Sequence, residues 1–512
     1  MKKRVLALVL ILIMALPFVL AGCDDDPAKG VSAETTAPLP SAPASDDAVG
    51  AADDAVDTDE ATEPSLPEND PVKEDPYPVI VDLSAMPAGT PEQYSYLYDQ
   101  VVLGDEAITG RSYLAHPDSV LLDNGDIITA FSLGHGTGGT FMRISHDRGL
   151  TWETLDLPEC YAGTEETPTI YKLNFTDGTQ KLVLIAGRPS WPAEGNLGEG
   201  WDAAVSVSLD PDGGCDGLVW SELENFYGPN AVREEYYRIG GAKKFDAVVA
   251  MSSLTQMKDE NGNFIDKWMG LYHDDRNFTV YKTYLTFNEV GQMEWSEPVR
   301  MLGQNGEWRE YEENYIPILD IGGYAFCETE VLRSPDGNEL AAIFRVNSKN
   351  SFSYVTFSTD EGETWSEPQT LSAELTGERH KAEYDPVTGK LVITMRNIFY
   401  RRNITEPYNW KSRGWVTWIG DYEDLKLGAD GHGDMLVKMA HTYNAGDTEI
   451  QEFANADTGY AGLVVYDDGT FVTAAYGTFS PADDPERGGD TYIMSKRFTV
   501  TDLFDLAGIP LD

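Results

Sequence analysis

Ser145-His146-Asp147-Arg148-Gly149-Leu150-Thr151-Trp152 and Ser358-Thr359-Asp360-Glu361-Gly362-Glu363-Thr364-Trp365 both read S-x-D-x-G-x-T-W. Agreement at five fixed positions marks an internal repeat, which constrains architecture before local propensity does. The residue types describe a clip on a tight turn. The Asp accepts hydrogen bonds from turn backbone. The Gly adopts a conformation closed to other residues, and the Trp buries its ring beneath. The repeat is therefore expected to be structural rather than catalytic.

Outward from the two clips, turn residues precede strand-like apolar runs six times. Asn124-Gly125-Asp126 precedes Ile127 to Phe131, Asp177-Gly178 precedes Lys181 to Gly187, and Gly240-Gly241 precedes Phe245 to Met251. Asp336-Gly337 precedes Glu339 to Phe344, Gly389 precedes Lys390 to Met395, and Asp468-Gly469 precedes Phe471 to Tyr476. The runs are almost continuously apolar, as strands buried on both faces must be. Weaker clips follow some of them, at Thr286 to Pro298 and at Ser208-Leu209-Asp210 with Trp220-Ser221-Glu222. No long helical period competes. The expected fold is all-β, a six-bladed β-propeller.

The clip resembles the Asp-box, or BNR repeat, of the sialidase superfamily. The resemblance covers most of 105–505 and is strongest from Tyr324 to Tyr476. It includes Cys327-Glu328-Thr329-Glu330, Ser334-Pro335-Asp336-Gly337, Thr376-Gly377-Glu378-Arg379-His380 and the run Gly469 to Gly477. It implies a glycan or oligosaccharide substrate and an exo-acting glycoside hydrolase, possession of the fold alone not fixing the chemistry. The alternative is a non-catalytic glycan-binding lipoprotein, with Trp191, Trp201, Trp410 or Trp415 in its pocket.

Three of the apolar runs end in arginine, at Arg188, Arg345 and Arg396. Guanidinium forks at comparable strand ends could meet on one carboxylate, as the resemblance implies for a sugar acid. The resemblance also places a nucleophilic tyrosine at Tyr460 and its glutamate base at Glu330. A phenol with a pKa near ~10 needs such a base. Three departures stand out. Ala115-His116-Pro117 lacks the first arginine, Tyr476 stands near the glutamate that would hold it, and Gly134 to Thr140 lacks the acid/base aspartate. His135 and His116 are the candidates to move protons in its place, with Arg379 and His380 as further substrate contacts.

Residues 1–22 read as a lipoprotein signal peptide: Met1-Lys2-Lys3-Arg4, an apolar run, then Leu20-Ala21-Gly22-Cys23, which resembles a bacterial lipobox. Cys23 is then the lipidated residue. Residues 23–77 are a disordered, acidic, Pro/Ala/Thr-rich linker and 78–512 the propeller. The expectation is an extracytoplasmic monomer, anchored in the bacterial cell membrane by its lipid. A formal net charge of −49 excludes nucleic acid as a partner. Cys160, Cys215 and Cys327 allow either a Cys160–Cys215 bridge or three free thiols. The seven histidines show no H-E-x-x-H spacing, so neither a metal nor another cofactor is expected.

Overall fold

The structure is a computed structural model. It describes residues 78–511 apart from 190–199, 211, 217, 227–247, 275–279, 302–325, 347–351, 398–413, 443–457 and 480–490. Cys23, Trp191, Trp410 and the signal and linker segments lie outside the described residues.

Six antiparallel sheets follow one another around an axis, making a six-bladed propeller. The innermost strands are Ala115–Leu121, Glu166–Asn174, Val248–Lys258, Phe326–Arg333, Gly377–Tyr384 and Gly459–Val465. They pack side by side in a closed ring. Five of the six apolar runs that mark the blades in the sequence are second strands, one step out from the axis. In blade three the expected turn at Gly240-Gly241 lies outside the described residues, and the run that follows it leads into the innermost strand. That blade's own hairpin turns at Asn261-Gly262, with Gly262 at φ 81°.

The apolar runs are explained by alternation. Successive strand residues point to opposite faces, and both faces of a blade meet a neighbour. In Leu391–Asn397, Leu391, Ile393 and Met395 enter the core shared with blade four, while Val392 enters the core shared with blade six. Among the described residues there are six such cores, one at each blade interface. Trp201 and Trp415 belong to these cores and are almost fully buried, so neither lines a ligand pocket.

The ring is closed by the N-terminal part of the chain. Val101–Gly104 pairs with Tyr492–Phe498 as the outer strand of blade six. Val79–Asp82 adds in parallel to Met435–Lys438 at the edge of blade five.

The two repeats form the same clip through their Asp and Ser side chains. Asp147 Oδ1 accepts from Thr151 N–H at 2.8 Å, and Asp360 Oδ1 accepts from Thr364 N–H at 2.8 Å. Ser145 and Ser358 hydroxyls each accept from the N–H of the clip glycine at 2.8 Å. At Thr286 to Pro298, Asn288 Oδ1 takes over the Asp role, accepting from Gln292 N–H at 3.0 Å. The serine of each Trp-Ser exit recurs too: Ser221, Ser296 and Ser366 accept backbone N–H groups of Val205, Tyr284 and Phe357 at 2.9–3.0 Å. Cys160, Cys215 and Cys327 are free thiols, Cys160 exposed and the others buried.

Each clip tucks its glycine against the preceding blade. Gly149 has φ +79°, and a Cβ there would approach Val472 Cγ1 to 2.9 Å. Gly178 has a similar φ of +85° with open space around it. Gly178→Ala is therefore expected to cost about 1 kcal/mol from backbone strain, and Gly149→Ala about twice that or more because Val472 must also move. Chemical denaturation of the two variants measures the difference.

Candidate active site

Each innermost strand carries an extra residue against its partner at a corresponding step, and the blade-three strand carries a second between Met251 and Ser253. Ala115 pairs with Ser132 and Asp118 with Ala130, three residues against two. The same step recurs at 166–169, 248–251, 327–330, 378–381 and 459–462. In five blades the bulge residue is left-handed: His116 (φ 53°), Thr167 (38°), Glu328 (44°), Arg379 (49°) and Tyr460 (50°). Such bulges re-aim side chains that regular pleating would direct elsewhere.

The re-aimed groups make a connected network. Tyr460 Oη donates to Glu328 Oε1 at 2.6 Å. Arg345 Nη1 donates to the same Oε1 at 2.6 Å and also to Tyr460 Oη. Arg345 Nη2 lies 3.4 Å from Glu378 Oε1, and Arg396 Nη1 lies 3.4 Å from Glu378 Oε2. Arg345 and Arg396 are thus brought together through one buried carboxylate. Arg188 ion-pairs instead with Asp202 at 3.2 Å and Glu165 at 3.6 Å.

Burial drives the Tyr460 phenol well above its ordinary range, against the opposing pull of Arg345. Burial works against the Arg345 charge as well, but Glu328 and Glu378 outweigh it and hold the guanidinium firmly protonated. Glu328 N–H donates to His273 Nδ1 at 3.3 Å. Burial lowers His273 to about 4, so this ring is a neutral acceptor buttressing the bulge.

Across the pocket, His116 packs its ring 4.6 Å from that of Tyr460 and 5.4 Å from that of Tyr476. His116 Nδ1 is 2.9 Å from Glu166 Oε1, and His135 Nδ1 is 3.7 Å from Glu166 Oε2. Burial would raise Glu166, but His116, then His135 and Thr167, bring it below its usual value. The His135 side chain is half exposed, on the loop whose Gly136 N–H donates to Glu166.

Glu330 does not partner Tyr460; the carboxylate beside the phenol is Glu328. Aligning the bulges as Ala115-His116-Pro117-Asp118, Glu166-Thr167-Pro168-Thr169, Cys327-Glu328-Thr329-Glu330, Glu378-Arg379-His380-Lys381 and Gly459-Tyr460-Ala461-Gly462 puts Glu328 level with Tyr460. Glu330 sits two residues further along the strand and lines a separate cavity of about 820 Å³ with Lys381, Tyr171 and Ser119. Arg379 is buried with Nε and Nη1 lacking hydrogen-bond partners, and its charge acts on Glu330 and Lys381. His380 is fully buried in the core of blade five. Its Nε2 lies 2.9 Å from the Leu375 carbonyl, which only accepts, so Nε2 carries the proton. His380 therefore offers nothing to a ligand. Glu166 and Glu378 were not singled out from the sequence, although each directly precedes a bulge residue.

No protein-family model and no curated protein sequence matches the chain. Solved structures do share its architecture. A Dyadobacter fermentans protein of unknown function is 16% identical, with a TM-score of 0.48 over 78% of this chain and 97% of its own. A Penicillium chrysogenum alpha-L-arabinanase complexed with arabinobiose is 13% identical, with a TM-score of 0.46 over 79% and 98%. The intramolecular trans-sialidase of Ruminococcus gnavus is 13% identical, with a TM-score of 0.44 over 79% and 97%.

Burial raises Glu330 to about 7, with Lys381 opposing. A carboxyl whose folded pKa lies above its unfolded value binds more protons when folded. Stability should therefore fall as pH rises from about 4.5 to 7. Glu330→Gln is expected to remove this slope, gaining roughly 1–3 kcal/mol over the wild type at pH 8 relative to pH 4.5. Unfolding curves at the two pH values check it.

Proposed function

We propose that this chain is a cell-surface exo-glycosidase that removes a terminal sugar from glycans, with Tyr460 as nucleophile and Glu328 as its base. The observation that carries this reading is the triplet Tyr460–Glu328–Arg345. A buried phenol is a poor nucleophile unless its proton has somewhere to go. Glu328, 2.6 Å from Tyr460 Oη, takes that proton as the oxygen attacks the anomeric carbon. Arg345 donates to both oxygens, so it compensates the negative charge wherever it resides during transfer. Water then attacks the anomeric carbon and gives up a proton to the group that protonated the first leaving oxygen, while Glu328 returns its proton to the departing Tyr460 oxygen. Tyrosine nucleophiles are a known exception among glycosidases, which generally use two carboxylates.

Expulsion of the leaving group falls to the cluster of His116, His135 and Glu166, packed against Tyr460 and open to ligand through the half-exposed His135. The sugar is argued from charge. Arg345 and Arg396 are matched one for one by Glu328 and Glu378. Neither brings an uncompensated charge to a substrate carboxylate, which favours an uncharged terminal sugar over a sialic or other sugar acid. A lipid on Cys23 and the acidic linker would hold the propeller outside the cell, where polymeric glycans are met.

The second reading, a glycan-binding lipoprotein without turnover, is favoured by the absence of any carboxylate in the loop Gly134 to Thr140. A panel of fluorogenic neutral glycosides, uronides and α-sialosides separates the two. Turnover of at least one is expected, with Glu328→Gln lowering kcat by roughly 10²–10⁴-fold and Tyr460→Phe by at least as much. Glu330→Gln should stay within a few-fold of wild type. Binding on a glycan array without turnover of any substrate would establish the lectin instead.

A further inference from the structure

The cluster opposite Tyr460 is arranged for more than proton transfer. His116 from the blade-one bulge, His135 from the following loop and Glu166 from the blade-two inner strand each present one ligating atom. These three atoms lie within 4.8 Å of one another. His116 Nδ1 stands 2.9 Å from Glu166 Oε1. That nitrogen is buried without a hydrogen-bond partner, on a residue only 3% exposed. The buried ring nitrogen, the carboxylate and the His135 nitrogen thus set three donor atoms of metal-ligand type around one point.

Glu166 gives the second observation. It is 1% exposed, and no lysine or arginine among the described residues pairs with it; its partners are the two imidazoles, the Gly136 N–H and the Thr167 hydroxyl. A carboxylate so deeply buried needs a positive counter-charge. The Thr167 hydroxyl, 2.9 Å from Oε1, and Gly136 N–H on Oε2 fix the carboxylate plane, the outer-shell support that metal ligands require. His116 is held by its bulge and by the rings of Tyr460 and Tyr476. His135 is half exposed on a glycine-rich loop, which gives an ion a way in.

We propose that His116, His135 and Glu166 bind one borderline divalent cation, Zn²⁺ fitting best, and leave a coordination position for a ligand oxygen. Two imidazoles and one carboxylate are a donor set that suits Zn²⁺, and three protein ligands with an open position are the arrangement of catalytic rather than structural zinc. The ligands come from three separate segments, which is why no H-E-x-x-H spacing announces them. On the glycosidase reading, the cation would replace direct proton donation by these three side chains and polarise a substrate oxygen beside Tyr460, where the sequence lacks an acid/base aspartate. That role rests on the reading above; the binding itself does not.

The test is Zn²⁺ uptake by the untagged full chain in detergent, stripped with chelator and desalted, followed by calorimetry and elemental analysis. One Zn²⁺ per chain is expected. His135→Ala, which removes a half-exposed ring and leaves the core intact, should weaken binding by at least about 10²-fold, and Glu166→Gln likewise. His146→Ala, on the outer clip, should bind as the wild type does. Absence of stoichiometric uptake by the wild type overturns the proposal, and so does uptake that survives both His135→Ala and Glu166→Gln. Uptake without turnover of any glycoside leaves this site standing and removes the glycosidase reading. Turnover indifferent to chelator, with no uptake, does the reverse.

Discussion

An extra residue in every innermost strand is the constraint on which the site depends. Five non-glycine residues are held in left-handed backbone at that step, each at an energy of order 1–3 kcal/mol. Nothing local repays this. The cores at the six blade interfaces hold the ring of inner strands, and closure of blade six by Val101–Gly104 completes it. The consequence is that His116, Thr167, Glu328, Arg379 and Tyr460 stand at corresponding steps on separate blades. Regular strands would have turned those side chains into the interfaces. The remaining two non-glycine residues with positive φ among the described residues, Arg148 and Glu361, belong to the Asp-box clips. Backbone strain is therefore confined to the axis and to the clips that lock neighbouring blades.

Electrostatics follows from that geometry. Arg345 lies between Glu328 and Glu378, and Arg396 shares Glu378, so charges that would be ruinous alone are buried as a balanced set. The set is also stiff, because moving one member strands another. That stiffness suits a nucleophile whose hydroxyl must point one way. Facing Tyr460, Glu166 pairs with His116 and His135 among the described residues.

The fold was legible because its markers are local. Ser145 to Trp152 and Ser358 to Trp365 encode a turn in eight residues, and alternation within Leu391 to Met395 reports burial on both faces. The site was legible only in outline. Tyr460, Arg345 and Arg396 were placed at the pocket through resemblance to the sialidase superfamily. Spacing to Arg345, by resemblance to the sialidase pattern, points to Glu330, whereas the bulge between Cys327 and Glu330 brings Glu328 to the phenol instead. His380 shares the bulge with Arg379, but its ring is fully buried against the Leu375 carbonyl. In blade three the hairpin turn is made by Asn261-Gly262, beyond the run from Phe245 to Met251 that marks the blade in the sequence.

The central claim is that Tyr460, paired with Glu328, is the nucleophile. It is tested most directly by trapping. The protein is incubated with a panel of activated deoxyfluoro-glycosyl fluorides, then analysed by intact mass and peptide mapping. The account predicts one sugar per chain, carried on the peptide containing Tyr460 and absent in Tyr460→Phe. A sugar carried instead on Glu328 or Glu166, or trapping undiminished in Tyr460→Phe, would contradict it.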